Sequence, residues 1–566
     1  MSTQKTCKQC QKEFVVEDAD LELYKKLSPT FDGKLFEIPA PNLCPQCRYQ
    51  RRISWRNERN LYNRKCDKTG KNVVSIFSPD KEWPTVYSSD AWWSDSWSAK
   101  DYGQDFDFNR PFFEQFHELF RKVPQLTLNN QKSENSEYTN QAQFNKNCYM
   151  CFSTSNNENC MYGMWFQNSK DSLDCQYLEK SELCYEVLNG KNCYGCKYCQ
   201  DIENCRECYF CSSCVDCKNC FGSVDLHGKE FCFYNEQLSR DEYLMKLGSQ
   251  NLNKRSLIEE IKKKVNEHRL KFPHKFYRGK NNENSSGDYI QNNKNAEICF
   301  NARTNENLKF SQDAWEARNC IDLTETLDND FCMEIEGCGW GNNQILSSKI
   351  VETSNVYYSS HIYYSHDIFG CVGLRNASYC IFNKQYTKEE YEKLVAKIIE
   401  HMQKTGEWGE WFPIKYSPYG YNETVAMDYF PLEKAEAEKL GISWQDNNFD
   451  LDYKGEFYKP HDDIEEYIKS EEEVKKLLSG IIKCDVSGRP FKIVPQELSF
   501  YINNKVPIPT KNFHQRFLER FSLRNPRKLY HRKCMNEGCS NEFDTTYAPD
   551  RPEKVYCESC YQQSVI

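Results

Sequence analysis

Between positions 148 and 232 the chain carries cysteines at intervals of six residues, on two frames that lie three residues apart. Asn or Asp often precedes the cysteine, as at Asn147, Asn159 and Asp216, and these residue types tolerate the backbone conformation of a sharp corner. A period of six with compact inward residues is typical of a parallel β-solenoid, whose coils stack about 4.8 Å apart. One frame contains Cys148, Cys160, Cys184, Cys196, Cys208, Cys214, Cys220 and Cys232, and the other contains Cys151, Cys175, Cys193, Cys199, Cys205, Cys211 and Cys217.

The pattern returns 148 residues later, which predicts a second, tandem solenoid block. Residues 231–237 correspond to residues 379–385, and on the frame of Cys380 cysteine is exchanged at several positions for Ile, Val or Leu, from Leu308 to Leu374. Because an aliphatic group cannot replace a metal ligand, most solenoid cysteines are predicted to be small core residues. The exception is the stretch from Cys193 to Cys220, with nine cysteines in 28 residues. If one coil contains three of these six-residue repeats, Cys193 stacks on Cys211 of the next coil. A disulfide or a soft-metal cluster is then the alternative role for the cysteines of this stretch.

A helix is predicted to close each solenoid block. Residues 256–270 carry apolar side chains at helical spacing among many charges. Thr387 is placed to begin a second such helix, which ends near Gly406. Caps of this kind protect the open end of a stack of strands.

The two ends of the chain are versions of one module. The run from Arg56 to Cys66 matches the run from Arg524 to Cys534 at a constant offset of 468 residues. Pairs of closely spaced cysteines can aim four thiolates at one ion, so each module is predicted to hold one structural zinc, two in all. The predicted ligands are Cys7, Cys10, Cys44 and Cys47 in the first module and Cys534, Cys539, Cys557 and Cys560 in the second. The alternative is that these cysteines are reduced core residues.

Each module lacks the ligand set that the other keeps. In the second module, the positions that correspond to the first ligand set hold Cys484, Ser487, Asn512 and Gln515. In the first module, the positions that correspond to the second ligand set hold Cys66, Lys71, Ser88 and Ala91. These losses indicate an ancestral module with two sites. Zinc binding is expected to contribute to folding, because neither module looks able to build a core alone.

A basic stretch recurs in each module of a chain whose formal net charge is −9. The spacing predicts one helix face for each set of arginines, with Pro526 ending the second helix near Asn525. Arginine makes forked bonds to phosphate, so contact with RNA or DNA is one prediction. The other is that the arginines pair with acidic groups of the central domain and clamp the ends to it. The first set is Arg48, Arg52, Arg56 and Arg59, and the second is Arg516, Arg520, Arg524 and Arg527.

The sequence contains no phosphate-binding loop, zinc-protease motif or nucleophile elbow. Its most suggestive acidic stretch places Glu407 and Glu410 beside Trp408 and Trp411. Paired carboxylates beside indoles suit a carbohydrate site, so a polysaccharide-acting enzyme on a β-solenoid is an alternative function. The other interpretation is an aromatic-rich joint between the solenoid and the C-terminal module.

Composition excludes several classes of protein. The mean hydropathy is −0.84, and no stretch approaches the roughly 18 apolar residues of a membrane helix, so no membrane partner is expected. An aromatic content of 14% is too high for a disordered chain. The first residues lack the apolar core of a secretion signal, and the 31 cysteines suit a reducing compartment, so a cytoplasmic location is expected.

The predicted fold is mainly β, with two tandem solenoid blocks, helical caps and two flanking zinc-ribbon or treble-clef-like modules. The predicted segments are an N-terminal zinc module (1–90), an aromatic-rich connector (91–134), the first solenoid block (135–235), a helical cap and linker (236–284), the second solenoid block (285–383), a helical cap with a Trp- and Tyr-rich joint (384–475) and a C-terminal zinc module (476–566).

The segment Cys44-Pro45-Gln46-Cys47-Arg48, the Arg-Asn-x-Arg-x-Leu-Tyr-x-Arg run and residues 556–561 resemble uncharacterised cysteine-rich zinc-ribbon proteins of bacteria. The resemblance extends over most of the chain and implies no catalytic residue. We expect a non-enzymatic zinc-binding scaffold or adaptor with a macromolecular partner, most concretely RNA or a ribonucleoprotein. A protein partner or end-to-end self-association of the coils is the alternative.

Overall fold

The computed structural model describes residues 3–446 and 453–565. Its centre is a parallel β-solenoid whose coils lie between residues 130 and 381, and a tetra-cysteine cluster lies near each end of the chain. Within these two described ranges, no helix has the length and the apolar content that crossing a membrane requires.

The N-terminal part consists of short hairpins and helices. Its elements are β1 (Thr3–Thr6), β2 (Glu13–Val16), α1 (Asp18–Leu27), β3 (Thr30–Phe31), β4 (Lys34–Leu35), α2 (Pro45–Ile53), β5 (Tyr62–Lys65), β6 (Asn72–Ser75), β7 (Val86–Tyr87), α3 (Ser89–Trp93), a 3-10 turn (Ala99–Tyr102), α4 (Phe112–Lys122) and β8 (Gln125–Leu126).

The first stretch of coils is followed by a hairpin and two helices. The elements are β9 (Asn130–Gln131), β10 (Asn140–Gln143), β11 (Tyr149–Ser155), β12 (Met161–Gln167), β13 (Gln176–Glu179), β14 (Leu188–Lys191), β15 (Gln200–Glu203), β16 (Cys232–Phe233), β17 (Glu236–Gln237), α5 (Arg240–Ser249), α6 (Arg255–Arg269) and β18 (Pro273–Lys275).

The second stretch of coils also ends in a hairpin and a helix. The elements are β19 (Gly279–Lys280), β20 (Gly287–Asp288), β21 (Ile290–Gln291), β22 (Lys294–Glu297), β23 (Cys299–Phe300), β24 (Glu306–Lys309), β25 (Gln312–Trp315), β26 (Arg318–Asp330), β27 (Met333–Tyr357), β28 (Ser360–Tyr363), β29 (His366–Phe369), β30 (Ser378–Ile381), β31 (Lys384–Gln385) and α7 (Lys388–Thr405).

The C-terminal part again combines helices with short hairpins. The elements are two 3-10 turns (Ile414–Tyr416 and Tyr421–Glu423), α8 (Ala426–Tyr429), α9 (Lys434–Lys439), α10 (Glu465–Lys469), α11 (Glu471–Ser479), β32 (Ile482–Lys483), β33 (Pro490–Phe491), α12 (Pro495–Asn504), α13 (Phe513–Ser522), β34 (Tyr530–Lys533), β35 (Glu542–Thr545), β36 (Lys554–Tyr556) and α14 (Glu558–Val565).

A coil of the solenoid contains twelve residues. Neighbouring strands are parallel, and their partners are twelve residues apart, as for Tyr149 with Met161 and Gln176 with Leu188. Every third side chain points inward, so one coil buries Cys205, Cys208, Cys211 and Cys214, each at most 1% exposed. The expectation of three sixes in a coil is therefore wrong, because two sixes complete it. Cys193 consequently lies one coil from Cys205, not from Cys211.

The residue before each inward position forms a corner in the left-handed backbone region. Asn147, Met150, Ser153 and Asn156 follow one another at this spacing, with φ between 52° and 56°. Asn and Asp tolerate this conformation better than other side chains. They also form ladders along the solenoid, since Asn147 donates its side-chain amide to Asn159 of the next coil at 3.1 Å. The predicted role of Asn and Asp at corners is confirmed.

The inward side chains also accept hydrogen bonds from the backbone. The amide of Cys211 donates to Cys199 Sγ at 3.3 Å, and the amide of Val187 donates to Cys175 Sγ at 3.4 Å. A residue twelve positions earlier is therefore the natural acceptor for an inward-pointing N–H. Cys, Ser and Asn are compact and can accept, which explains why they recur at inward positions.

The two stretches of coils pack side by side and run in opposite directions. Trp165 contacts Trp315, Asn189 donates to the Tyr289 hydroxyl at 3.0 Å, and Arg278 pairs with Asp201 at 3.1 Å. Residues of increasing number on the first stretch therefore contact residues of decreasing number on the second. That these stretches are copies of one ancestral block stays a prediction.

The helices expected after each stretch are present. Helix α6 covers the predicted range 256–270 to within a residue at each end. Helix α7 begins after Thr387, whose side chain accepts from the Glu390 amide, and ends at Gly406 with φ of 75°. Its buried face, including Ile398 and Ile399, belongs to the large apolar core of the second stretch.

Candidate metal centres

The first tetra-cysteine cluster joins a hairpin to the start of a helix. Cys7 directly follows β1 and Cys10 lies in the turn before β2, whereas Cys44 precedes α2 and Cys47 lies in its first turn. The four Sγ atoms all lie within 4.8 Å of one another, and Cys10 Sγ is 3.7 Å from Cys44 Sγ. The hydrogen bond from the Cys47 thiol lowers the pKa of Cys44, which favours the thiolate that binds metal.

The second cluster repeats this arrangement at the other end of the chain. Cys534 follows β34, Cys539 lies in the next turn, and Cys557 and Cys560 lie at the start of α14. All four Sγ atoms again lie within 4.8 Å of one another, and Cys539 Sγ is 3.9 Å from Cys557 Sγ. Asn541 donates to Cys557 Sγ at 3.4 Å.

These distances fit a tetrahedral zinc site. Four sulfurs at a Zn–S distance of about 2.3 Å stand about 3.8 Å apart along each tetrahedron edge. The distances of 3.7 Å between Cys10 and Cys44 and of 3.9 Å between Cys539 and Cys557 match that edge. Both clusters therefore have the donors and the spacing to bind a metal ion such as zinc, and four thiolates leave no open position for a substrate or a reactive water.

Two further units share the backbone of these clusters without their thiols. In all four units the residue that follows the first ligand position donates its amide to the carbonyl two residues before the helix cap, at 2.9 to 3.1 Å. The four pairs are Lys8 with Asn42, Asp67 with Val86, Asp485 with Thr510, and Met535 with Val555. Each of the other two units therefore keeps the same backbone path but has one sulfur donor where the clusters have four. Their residues are Cys66, Lys71, Ser88 and Ala91 in one unit and Cys484, Ser487, Asn512 and Gln515 in the other.

The arginines of the first module enter the solenoid interface instead of a free surface. Arg48 Nε lies 2.8 Å and Arg52 Nη1 lies 3.2 Å from the carboxylate of Asp322, and all three side chains are at most 2% exposed. Arg56 pairs with Glu58, Glu325 and Glu336, and Arg59 forms a two-pronged pair with Asp428. Burial alone would lower the pKa of Arg48, but the carboxylate of Asp322 raises it, so this cation stays charged in the interior.

The second module uses its arginines in the same way. Arg516 and Arg520 both pair with Asp174, at 2.9 and 3.1 Å, and Arg527 pairs with Asp313 at 2.7 Å. Arg524 is half-buried between the rings of Tyr177 and Tyr289. Helix α2 ends at Ile53 and α13 at Ser522, so the predicted single helix face is wrong for Arg56, Arg59 and Arg524, which lie beyond the helices. Arg527 also lies beyond α13, as the position of Pro526 predicts.

These contacts correspond to the second of the two interpretations, a clamp of the ends onto the central domain. They give the nucleic-acid interpretation no support, because the guanidinium groups are paired with carboxylates or packed on rings inside the protein. Their partners Asp174 and Asp322 are not among the residues predicted from the sequence. They are separated by 148 residues, which is also the offset of the solenoid repeat, so the sequence did contain a signal for them.

The acidic stretch considered for catalysis has structural partners. Glu407 accepts from the amides of Phe112 and Phe113 at 2.8 Å, and thus caps α4. Glu410 accepts from Arg51 at 2.8 Å and from Asn42 at 3.0 Å. Trp408 and Trp411 are buried, at 5% and 1% exposed. These contacts attach the stretch to the N-terminal part of the chain. The alternative interpretation, a joint to the C-terminal module, stays a prediction.

The solenoid thiols do not form a third metal centre. Among residues 3–446 and 453–565, no three Cys, His, Asp or Glu side chains outside the two terminal clusters bring their ligand atoms within 4.8 Å of one another. The thiols of the crowded stretch donate to backbone carbonyls instead, as Cys205 does to Glu203 and Cys214. All described cysteines are free, which leaves no disulfide in that stretch.

No protein-family model matches the chain, and no curated protein sequence matches it either. The resemblance to zinc-ribbon proteins consequently rests on the two tetra-cysteine clusters in a cysteine-rich chain.

Proposed function

We propose that the protein is a non-enzymatic zinc-binding scaffold, whose terminal modules hold the solenoid in one shape for a macromolecular partner. One observation carries this proposal. Helix α2 begins at the ligands Cys44 and Cys47, and the same helix buries Arg48 and Arg52 against Asp322 of the second stretch of coils. A metal ion that orders the start of this helix would also order the clamp.

The zinc at each end has a structural role in this proposal. A site of four thiolates has no free coordination position, and its binding energy contributes directly to folding. Among the described residues, only Phe14 and Leu43 pack as further apolar side chains against Cys7, Cys44 and Cys47. So small an apolar cluster cannot stabilise the hairpin and the helix start by itself, which is the situation in which structural zinc is used.

The finer features of the fold belong to the same proposal. Arg48 and Arg516 are 468 residues apart, as are the modules, while their partners Asp322 and Asp174 are 148 residues apart, as are the solenoid repeats. We infer one ancestral contact that is used twice, between related zinc-ribbon or treble-clef-like modules and tandem solenoid blocks. The first module docks on the second block and the second module docks on the first.

The partner is proposed to be a macromolecule that contacts the outer faces of this rigid body. RNA or a ribonucleoprotein remains one candidate, but contact through the eight arginines would require breaking buried ion pairs, which is costly. A protein partner or self-association needs no such rearrangement. Filter binding of RNA at 50 and 200 mM salt and light scattering at several concentrations distinguish these classes.

Metal analysis of matched variants tests the structural role. The purified chain is expected to contain two zinc ions, and Cys10→Ser and Cys539→Ser, at the least buried ligand of each cluster, are each expected to remove one and to lower the melting temperature. Cys208→Ser, in the solenoid, is the control and should leave the zinc content at two. Unchanged zinc in both ligand variants would contradict the proposal.

A further inference from the structure

A pocket of about 610 Å³ lies between the first stretch of coils, helix α6 and the second module. A volume of this size falls within the range of binding sites, which favour the junction of separate units. The clamp arginines of the second module line one side of the pocket, but they are buried and paired with Asp174. Its accessible apolar groups are Leu523, which is 47% exposed, and the half-buried Tyr198 and Val265.

The corresponding place beside the first module is filled by residues 408–412 of this chain, which we call the plug segment. Trp408 packs on the ring of Tyr358, with the ring centroids 5.7 Å apart. Trp411 and Phe412 pack against the ring of Trp55, at centroid distances of 5.8 and 5.2 Å. Trp55 is consequently only 3% exposed.

Polar contacts hold the middle of the plug segment. Glu410, between the two tryptophans, accepts from Arg51 at 2.8 Å and from Asn42 at 3.0 Å. Both donors belong to the first module. Two aromatic side chains and one charged side chain therefore fix the plug segment in its place.

The residues that hold the plug segment have counterparts around the pocket. The offsets are 468 residues between the modules and 148 residues between the stretches of coils. The counterparts of Asn42, Arg51, Trp55 and Tyr358 are Thr510, Glu519, Leu523 and Phe210. All four line the pocket. At this end of the chain α5 is followed by α6, which forms a wall of the pocket, so that within the described residues the place of the plug segment stays open.

The two places differ in charge at one position. Arg51 pairs with Glu410 of the plug segment, whereas its counterpart Glu519 is itself an acid. Glu519 pairs with Lys511 at 2.9 Å, and its side chain remains 43% exposed. A segment that pairs with Glu519 therefore needs a basic residue where the plug segment has Glu410.

The carboxylates of the pocket argue against a nucleic acid. The lysines and arginines that line it are paired with acids, as Lys262 is with Glu186 at 2.8 Å and Arg255 is with Asp462 at 3.8 Å. A phosphate chain would meet repulsion without an uncompensated cation. The lining acids are Glu186, Glu259, Asp462, Asp485 and Glu519.

We propose that this pocket binds a short segment of a partner protein, in which two aromatic residues flank a basic residue. The aromatic side chains pack against Leu523, Tyr198 and Val265, and the basic side chain pairs with Glu519. Aromatic anchors in pockets carry much of the binding energy of protein interfaces. This inference rests on the scaffold function proposed above, for which it names the kind of partner and the surface that the partner contacts.

Fluorescein-labelled peptides that copy the plug segment test the proposal with the full-length, zinc-loaded protein. The first peptide has residues 406–413 of this chain, the second carries Glu410→Lys, and the third carries Trp408→Ala and Trp411→Ala as well as Glu410→Lys. In fluorescence anisotropy, the Glu410→Lys peptide is expected to bind saturably with a Kd below about 1 mM. It should bind about tenfold more tightly than either of the other two peptides.

Replacements at accessible positions of the pocket identify the site. Leu523→Ser should raise the Kd of the Glu410→Lys peptide about tenfold. Leu244→Ser is the matched control, because this leucine of α5 is also 47% exposed but lies outside the pocket, and it should leave the Kd unchanged. Glu519→Arg should reverse the preference, so that the unaltered peptide binds more tightly than the Glu410→Lys peptide. Circular dichroism and zinc content confirm that each variant folds.

Several results would overturn the proposal. They are a lack of saturable binding by the Glu410→Lys peptide, an equal Kd in Leu523→Ser and the wild type, and an unreversed preference in Glu519→Arg. Displacement of the peptide by a 20-residue uridine RNA would assign the pocket to a nucleic acid instead, and self-association that Leu523→Ser abolishes would assign it to a second copy. A protein that holds two zinc ions without binding the peptides contradicts this inference alone, whereas the zinc content of the ligand-cysteine variants decides the scaffold function.

Discussion

Replacing Asp322 with Asn should destabilise the contact between the first module and the solenoid. This carboxylate lies 2.8 Å from Arg48 Nε and 3.2 Å from Arg52 Nη1, and none of the three side chains is more than 2% exposed. Removing one partner of a buried ion pair leaves a charge without compensation, which costs about 3–5 kcal/mol. Glu334 lies 3.6 Å from Arg52 Nη1 and can take up part of that charge, but it already pairs with Arg51.

Asp174→Asn makes the equivalent change in the second module. Asp174 serves both Arg516 and Arg520, but the repeat counterpart of Glu334 is Glu186, which pairs with Lys262 at 2.8 Å. Glu186 and Glu497 both interact with Arg516 and can take up part of its charge, so the free energy of unfolding should fall by a similar amount to that in Asp322→Asn. Asp330→Asn is the control, because its pair with Arg318 is 4.0 Å long and partly exposed, and it should cost less than about 1 kcal/mol.

Urea unfolding at pH 7, followed by circular dichroism and by limited proteolysis of the first transition, measures these differences. The first transition is the relevant one, because a chain of several units need not unfold in one step. The combined replacement Arg48→Met, Arg52→Met and Asp322→Leu removes the charges together and should recover most of the loss. If Asp322→Asn lies within about 1 kcal/mol of the control, the arginine clamp does not stabilise the protein.

The remaining predictions concern thiols, protons and the units that lack four thiols. After zinc removal by a chelator, iodoacetamide should first modify the eight ligand cysteines, while solenoid thiols such as Cys208 should react only in urea. Mass spectrometry of the peptides gives the order of modification. Early modification of Cys208 would contradict its burial. Burial raises the pKa of Glu497 to about 7, above the 4.5 of an unfolded chain, so its contribution to stability is present at low pH and is lost as the pH rises through 7. Relative to the wild type, Glu497→Gln should therefore gain about 3 kcal/mol of unfolding free energy between pH 5 and pH 8, and equal pH profiles would refute this. A triple variant that keeps Cys484 should have a site of four thiolates and raise the zinc content from two to three ions; its replacements are Ser487→Cys, Asn512→Cys and Gln515→Cys. The same zinc content as in the wild type would show that the backbone of this unit does not fit a metal ion.

The solenoid could be recognised from the sequence, but the size of its coil could not. Every side of a coil has the same three-residue pattern, with a corner such as Asn147 before an inward residue such as Cys148. A repeat of six is therefore compatible with two, three or more sixes in a coil. Only the hydrogen-bond register, which pairs Tyr149 with Met161, fixes the coil at twelve residues.

The metal centres could be predicted because their ligands are close in sequence, but the clamp could not. A knuckle such as Cys44 to Cys47 carries its geometry in its spacing. Arg48 meets Asp322, which lies 274 residues away, and nothing in the local sequence reveals whether an arginine faces water or a distant carboxylate. The basic stretch therefore suited phosphate and an internal acid equally well.

The unit around Cys484 shows how a clamp helix is held without four thiols. Asn512 donates its side-chain amide to Ser487 at 3.2 Å, and Asn512 Oδ1 accepts from the amide of Gln515 at 2.9 Å. The turn thus stays attached to the start of α13 by hydrogen bonds, and the helix keeps the cap that a metal-bound thiolate would otherwise support. Arg516, four residues after Asn512, still reaches Asp174. The clamp helix of the second module therefore has a start that hydrogen bonds fix, whereas the clamp helix of the first module starts at the candidate ligands Cys44 and Cys47.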